Sequence, residues 1–465
     1  MTPGGTATSD GAATEGRVHF VGVGGAGMSA VAWLLACAGV PVTGSDAAEG
    51  PYLAALRDAG LDVRVGHDPA LVEGAAAVVV TSAVRHSNPE LIAARRLGIP
   101  VWHRSEALVR AVAGKRVIAV AGAHGKTTTS AMTAHALRAC GIDASFAIGA
   151  PVLGVSGAVG GAYAGASDVT VIEADESDGS FLAYHPQIAI ITNVEADHLD
   201  HYGTVEAVEE AFRQFAASAG HVIACADDAA AALVAADAAK RGIPVETFGT
   251  GSADVVVDAT SIGRGTHRFP MAVSQPGAHN RLNAGAAWAA AVAVGADPRA
   301  AAAAMGSFPG TGRRYELRGT AGGVRVVDDY AHHPTEIAAL LAAAREREHG
   351  RLVVLFQPHL YSRTRLLAPA FARALDEPGA HVIVSGIYGA REDPEPGVGP
   401  RTITDLMGGA RAASVEAIED LRAGAERAAE LAQPGDTILT VGAGSVTDVA
   451  ARILDRLRIK ARDRA

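Results

Sequence analysis

The stretch "RVHFVGVGGAGMSAVAWLLACAGVPVTGSD" opens a pattern that the rest of the chain repeats: a short apolar run, a turn containing glycine, then an Ala-rich amphipathic segment. Apolar runs bounded by turn signals read as strands, and the longer segments after them have room for helices. Repeated strand, loop and helix units specify an α/β fold built on largely parallel sheets. At 465 residues the chain exceeds one ordinary domain of roughly 150 residues. The pattern divides into three α/β blocks, with a loose tail over residues 1–16. An N-terminal Rossmann-like domain is expected over 17–113, a central P-loop ATPase-like domain over 114–312 and a C-terminal Rossmann-like domain over 313–465.

With 50 acidic against 40 basic residues, the net charge of −10 argues against a nucleic-acid binder, which needs a basic face to displace counterions. Cys37, Cys140 and Cys225 are few, odd in number and far apart, which fits a reducing cytoplasm and neither a disulfide framework nor a zinc motif. One uncharged stretch, Ala144–Ser167, holds six glycines, a proline and three serines. It is expected to be Gly-rich loop rather than a membrane helix.

Two nucleotide-type motifs stand out. Gly22-Val23-Gly24-Gly25-Ala26-Gly27 lies between an apolar strand and a helix, with Asp46 following at about the 20-residue spacing of a dinucleotide fingerprint. Backbone amides at such a helix start hold a pyrophosphate; a ligand-free tight turn is the plainer alternative. In the second motif, "AGAHGKTTT" follows the apolar run Val117–Val120. Lys126 there can reach terminal phosphates and the Thr127 hydroxyl can ligate Mg²⁺. The usual phosphate-loop spacing would require a glycine where Val120 stands, so this loop is a shortened form.

Further candidates sit at strand ends. "VIEADESD" brings Glu173 to where a carboxylate meets a metal on the phosphate loop, or forms a solvated acidic turn. "TNVEADHLD" offers Asn193, Asp197 and His198. "GAHNRLNAGAA" offers His279, Asn280 and Asn283, which equally suit helix capping. "DDYAHHPTE" and "QPHLYSRTR" bring Asp328, Asp329, Tyr330, His332, His333, Arg363 and Arg365 to loops at the carboxyl ends of strands, where open α/β sheets bind ligands.

In this order, "HFVGVGGAGMS", "GAHGKTTT", "EADESD", "NVEADHLD", "HNRLNA", "GTGRRYE", "DDYAHHPTE" and "FQPHLYSRTR" resemble the Mur ligases, ATP-dependent amide-forming enzymes of peptidoglycan synthesis. The likeness spans residues 17–450 and is greatest to the member that adds L-alanine. It explains the shortened loop, because the family uses G-x-x-G-K-[ST], here Gly122 to Thr127. It also explains two nucleotide motifs in one chain, since the family holds a UDP-sugar in the first domain and ATP in the second.

The resemblance implies that L-alanine is joined to the lactyl carboxylate of UDP-N-acetylmuramate through an acyl phosphate, giving ADP and phosphate. It assigns the UDP pyrophosphate to Gly24, Gly25, Ala26, Gly27, Met28 and Ser29, with Ser45 and Asp46 near the same nucleotide. ATP falls to Gly122, Ala123, His124, Gly125, Lys126, Thr127, Thr128 and Asn193, with His279, Asn280 and Asn283 on the adenine side. Arg314 and Asp329 would close over its ribose and phosphates. Two Mg²⁺ ions are expected, replaceable by Mn²⁺, one held by Thr127 and Glu173 and the other by His198; Lys126, Glu173 and His198 form the catalytic set. Tyr330, His332 and Arg363 would hold L-alanine, with a cytoplasmic monomer or weak homodimer as the acting form.

Three features depart from the family pattern. Ala123 replaces a common Thr in "GTHGKTTT", Leu360 stands where some members carry an arginine, and no lysine lies between Lys126 and Lys240 to serve as the carbamoylated metal bridge of later-acting ligases. The competing readings are a ligase that recycles murein tripeptide onto the same sugar, a nicotinamide-dependent oxidoreductase built on Gly22–Gly27, and a non-catalytic UDP-sugar binder.

Overall fold

A computed structural model describes residues 16–195, 197–390, 392–409 and 411–463; all of the expected tail except Gly16 lies outside them. The described residues form two compact units, one running up to Ala272 together with Leu282–Pro309, the other Val273–Arg281 together with the residues from Gly310 onward.

The first unit contains two sheets. In the N-terminal one, five parallel strands run in the order Asp62–Val65, Val42–Asp46, Val18–Val21, Ala77–Val80, Val101–His103. Val18–Val21 is buried along its whole length, as a strand covered on both faces by helices must be. Strand order reverses beside it, which opens a crevice at the carboxyl ends of Val18–Val21 and Ala77–Val80.

In the second sheet, Arg116–Ala121 lies parallel between Val169–Glu173 and Ile188–Ile191. Its register sets Val120 beside Glu173 and Ala121 beside Ile191. The loop from Gly122, the Glu173 carboxylate and the Thr192–Asn193 turn therefore leave the sheet at one edge. The Gly-rich stretch Ala144–Ser167 departs from the expectation of loop alone, because Ser145–Ala147 and Ala162–Tyr163 form short paired strands. Burial of Phe146 and its stacking on Tyr163, with ring centroids 5.7 Å apart, supply the reason.

In the second unit, Glu316–Ala321 pairs antiparallel with Val324–Asp329, and Thr437–Val441, Leu352–Phe356, His381–Ser385 and Ser414–Ile418 continue the sheet in parallel. Side chains alternate across the sheet. Val327, Val354 and Leu439 face a core with Ile337 and Phe371, while Val326, Val353 and Ile438 face another with Ala425 and Ile453. Asp328 and Asp329 end the second strand, at the edge that carries the candidate residues.

Among the described residues, no helix is long and apolar enough to cross a membrane, and Cys37, Cys140 and Cys225 are all free thiols.

Candidate active site

The crevice of the N-terminal sheet is a cleft of about 850 Å³, lined by the Gly22–Met28 loop, Asp46 and His67, and on the facing side by Asp175, Ser177 and Asp178 of the second sheet. Gly22 turns the chain with φ +78°, a conformation glycine adopts without Cβ strain. The Gly24 amide donates to Asp46 Oδ2 at 2.8 Å, so the fingerprint's acid is tied to its own glycine loop. Gly24, Gly25, Ala26, Gly27, Met28 and Asp46 all line the cleft. Ser29 and Ser45 are not among its lining residues. The buried Ser29 hydroxyl donates to the Ala26 carbonyl at 2.9 Å, and that of Ser45 donates to Glu90 Oε2 at 2.6 Å.

Arg104 also lines this cleft, although the sequence reading leaves it unassigned. It pairs with Asp175 at 3.4 Å and packs over Gly27, where a side chain would collide with its guanidinium. Asp178 lies 3.3 Å from His103 Nε2. Burial pulls the Asp178 pKa up, but hydrogen bonds from His103 and Ser180 outweigh it and hold the carboxyl below the usual range.

At the phosphate loop, Gly122 takes φ +139° and Gly125 caps the helix Lys126–Ala139 at φ +83°. Asn193 clamps the loop from both sides: its Oδ1 accepts from the His124 amide at 2.8 Å and its Nδ2 donates to the His124 carbonyl at 2.9 Å. Ala123 sits inside this backbone-held turn. Asn283 Oδ1 lies 2.6 Å from where a Cβ on Gly125 would stand. The helix start directs free amides and the positive end of its dipole at the loop, an arrangement suited to phosphate.

The Lys126 ammonium donates to the Gly122 carbonyl at 2.6 Å and to Glu176 Oε1 at 2.9 Å. Burial works against its charge, but Glu176 and Asp175 more than compensate and raise its pKa. Thr127 Oγ1 donates to Glu173 Oε1 at 2.8 Å, and Glu173 Oε2 accepts from the Gly149 amide at 2.7 Å. Thr128 is buried within the same first turn. His198 is held at φ 56° just before the short helix Leu199–Tyr202, with Nε2 3.8 Å from Glu176 Oε1. A hydroxyl, carboxylates and an imidazole at a phosphate-binding loop, with a buried unpartnered oxygen at Glu176 Oε2, fit a hard divalent cation.

In the second unit the remaining candidates gather around Arg314. Asp329 accepts from the Tyr315 and Ala331 amides, each at 2.8 Å, and burial pushes its pKa up to about 6 against the pull of Arg314. The Tyr330 ring lies under both Arg313 and Arg314, at 4.8 and 5.2 Å. His332 Nδ1 lies 3.1 Å from the Tyr330 carbonyl and 3.3 Å from Glu336. Burial, with Arg363 and Arg314 adding to it and Glu336 opposing, brings the His332 pKa down to about 4. The His279 pKa is also lowered, by burial first and then by Arg314. Asn280 donates to the Pro276 carbonyl at 2.7 Å, so in this structure its amide secures the turn that starts its helix.

The fold and this phosphate-loop site define a nucleotide-dependent ligase of the Mur type. "Mur ligase family, catalytic domain" matches residues 17–116, "Mur ligase middle domain" 120–291, and "Mur ligase, glutamate ligase domain" 313–444. UDP-N-acetylmuramate–L-alanine ligase of Paenarthrobacter aurescens is 50% identical over 461 residues, covering 95% of this chain and 97% of the relative. Its counterpart from Kineococcus radiotolerans is also 50% identical, over 97% and 98% of the two chains. Among solved structures, the UDP-N-acetylmuramate–alanine ligase of Thermotoga maritima matches with a TM-score of 0.77 at 29% identity, over 96% of this chain and 100% of that one. A murein peptide ligase from Psychrobacter arcticus matches at 0.70 and 25% identity, over 95% and 99%. The chain belongs to the UDP-N-acetylmuramate–L-alanine ligase family, enzymes of peptidoglycan synthesis that use ATP and a divalent metal.

Proposed function

We propose that the protein joins L-alanine to the lactyl carboxylate of UDP-N-acetylmuramate in the cytoplasm, as a monomer or weak homodimer. What supports this reading most directly is the phosphate loop, where the Lys126 ammonium and the Thr127–Glu173 hydrogen bond stand together at one strand edge. Relatives at 50% identity carry the name of that reaction. A nicotinamide enzyme built on Gly22–Gly27 alone would leave Lys126, Glu173 and His198 without a task.

A carboxylate does not react directly with an amine, because oxide is too poor a leaving group. In the first step the lactyl carboxylate oxygen bonds to the γ-phosphorus of ATP, and the bond from that phosphorus to the bridging oxygen breaks toward ADP. The alanine amine then attacks the acyl phosphate carbonyl; phosphate leaves, and the amine loses its proton. The first step brings two anions together, so positive charge must stand between them. Lys126 supplies a fixed part of it. Thr127 with Glu173, and His198, would each hold one of two Mg²⁺ ions, which when bound add charge and orient phosphate oxygens.

The Gly24–Ser29 loop binds the UDP pyrophosphate, with Ser45 and Asp46 near the same nucleotide. Gly122–Thr128 and Asn193 bind the ATP phosphates, and His279, Asn280 and Asn283 take the adenine side. Arg314 and Asp329 cover the ribose and phosphates. Tyr330 and His332 receive L-alanine, and Arg363 pairs with its carboxylate.

The test is phosphate release from ATP and Mg²⁺ with UDP-N-acetylmuramate, offering L-alanine, glycine, L-serine or murein tripeptide in turn, with mass spectrometry of the product. Release with L-alanine and a product heavier by one alanyl residue is expected. Release with tripeptide only would transfer the protein to the recycling reaction, and no release with any acceptor would reduce it to a binder.

A further inference from the structure

The proposed reaction assigns Glu176 no role, yet its side chain is 3% exposed and lies between Lys126 and His198. Its Oε1 is 2.9 Å from Lys126 Nζ and 3.8 Å from His198 Nε2, while its Oε2 is enclosed and has no hydrogen-bond partner. A buried carboxylate that serves only as a counter-ion would use both oxygens, because each unpaired buried acceptor carries a desolvation cost.

We infer that Glu176 is a further ligand of the divalent cation held by His198. An octahedral Mg²⁺ with ligands at about 2.0–2.1 Å sets neighbouring donors about 3 Å apart and opposite ones about 4.2 Å apart. The separation of 3.8 Å between His198 Nε2 and Glu176 Oε1 is too long for a hydrogen bond and falls within that range. Both groups are held by one support. His198 immediately precedes the helix Leu199–Tyr202, and the Tyr202 hydroxyl donates to the Glu176 carbonyl at 2.6 Å.

The Lys126 pair then acts as a stand-in. With phosphates present, their charge satisfies the ammonium, and the carboxylate turns from Lys126 to the cation. The inference rests on the two-ion reading proposed above.

It is tested by titrating Mn²⁺ into the full-length enzyme with a non-hydrolysable ATP analogue, following free Mn²⁺ by electron paramagnetic resonance. The wild type is expected to bind two ions per chain. Glu176→Gln, nearly isosteric, retains the first ion and weakens the second by about tenfold or more. Glu176→Asp, which keeps the charge, binds the second ion better than Glu176→Gln, and His198→Asn loses the same ion. UDP-N-acetylmuramate affinity stays at the wild-type level in all three, which shows that they fold. Two ions bound to Glu176→Gln as tightly as to wild type, or equal weakening of both ions, would overturn the inference while leaving the proposed reaction standing. A wild-type enzyme that takes up no Mn²⁺ with the nucleotide would overturn both.

Discussion

Thr127 Oγ1 and Glu173 Oε1 meet at 2.8 Å, although one opens a helix and the other ends a strand 46 residues later. The parallel register of Val120 with Glu173 makes the meeting inevitable once the sheet forms. Thr127→Val keeps the shape and removes the hydroxyl. It is expected to cost about 1 kcal/mol of stability and to lower kcat/KM for ATP by about 10–100-fold, with KM for the UDP-sugar unchanged. A uniform loss across all three substrates in steady-state kinetics would count against Thr127 as a metal ligand.

Lys126→Ala is expected to abolish ligation while UDP-N-acetylmuramate still binds, since the cleft of the N-terminal sheet is lined by other residues. The same change leaves the buried Glu176 without its ammonium, at a cost of about 3–5 kcal/mol. The double variant Lys126→Ala/Glu176→Gln should therefore recover thermal stability and remain inactive. Recovery of turnover would remove Lys126 from the mechanism.

Gly122→Ala tests the loop's backbone. An added Cβ would run into Thr192 Oγ1 and press the Asn193 backbone at 3.0–3.1 Å, at φ +139°. Loss of nucleotide binding by calorimetry is the expected result, together with a destabilisation of about 1–3 kcal/mol. Gly39→Ala, where nothing lies within 4 Å but φ is +90°, should cost only backbone strain of about 1 kcal/mol and leave nucleotide affinity intact.

His332 titrates near 6.5 when unfolded and near about 4 when folded. Between those values the unfolded chain binds more protons, so this residue's stabilisation is complete above about pH 6.5 and is lost as the pH falls toward 4. Asp329 runs the other way. Its folded pKa of about 6 makes the native state the better proton binder below that value, so its charge opposes folding as the pH rises through the interval. The stability advantage of wild type over His332→Gln should therefore grow from pH 4 to 6.5, by about 1–2 kcal/mol because 20% of the side chain stays exposed. Urea midpoints across that range measure it, and a pH-independent difference would contradict it.

Arg363→Ala is expected to raise KM for L-alanine far more than KM for ATP. Equal effects would place the amino acid elsewhere. Leu360, three residues before, takes φ 69° and is 8% exposed, so its apolar side chain is buried.

What the sequence made legible was whatever a local pattern must express. A glycine loop between strand and helix cannot be disguised, so Gly22–Gly27 and Gly122–Thr127 were readable directly, and the alternation of apolar runs and Ala-rich segments announced three sheets. Strand-end positions of Glu173 and Asp329 followed from the same pattern. Ser29 and Ser45 sit beside readable motifs, but which way a hydroxyl turns depends on Ala26 and on Glu90, and proximity in sequence does not reveal it. Arg104 and Asp175 are 71 residues apart, and Lys126 and Glu176 are 50 apart; such pairs exist only after the sheets have closed. The ribbon Ser261–Arg264 with His267–Pro270 is not legible in the sequence, because its strands carry few apolar residues and rest on backbone pairing.

Asn193 grips the His124 peptide at both its amide and its carbonyl, with Gly122 allowing no side chain beside it. An inhibitor anchored to that backbone would address atoms common to every amino acid, so a side-chain change such as the alanine at position 123 would leave its contacts in place. A change at Asn193 or Thr192 that altered this backbone would also loosen the turn proposed to hold the ATP phosphates.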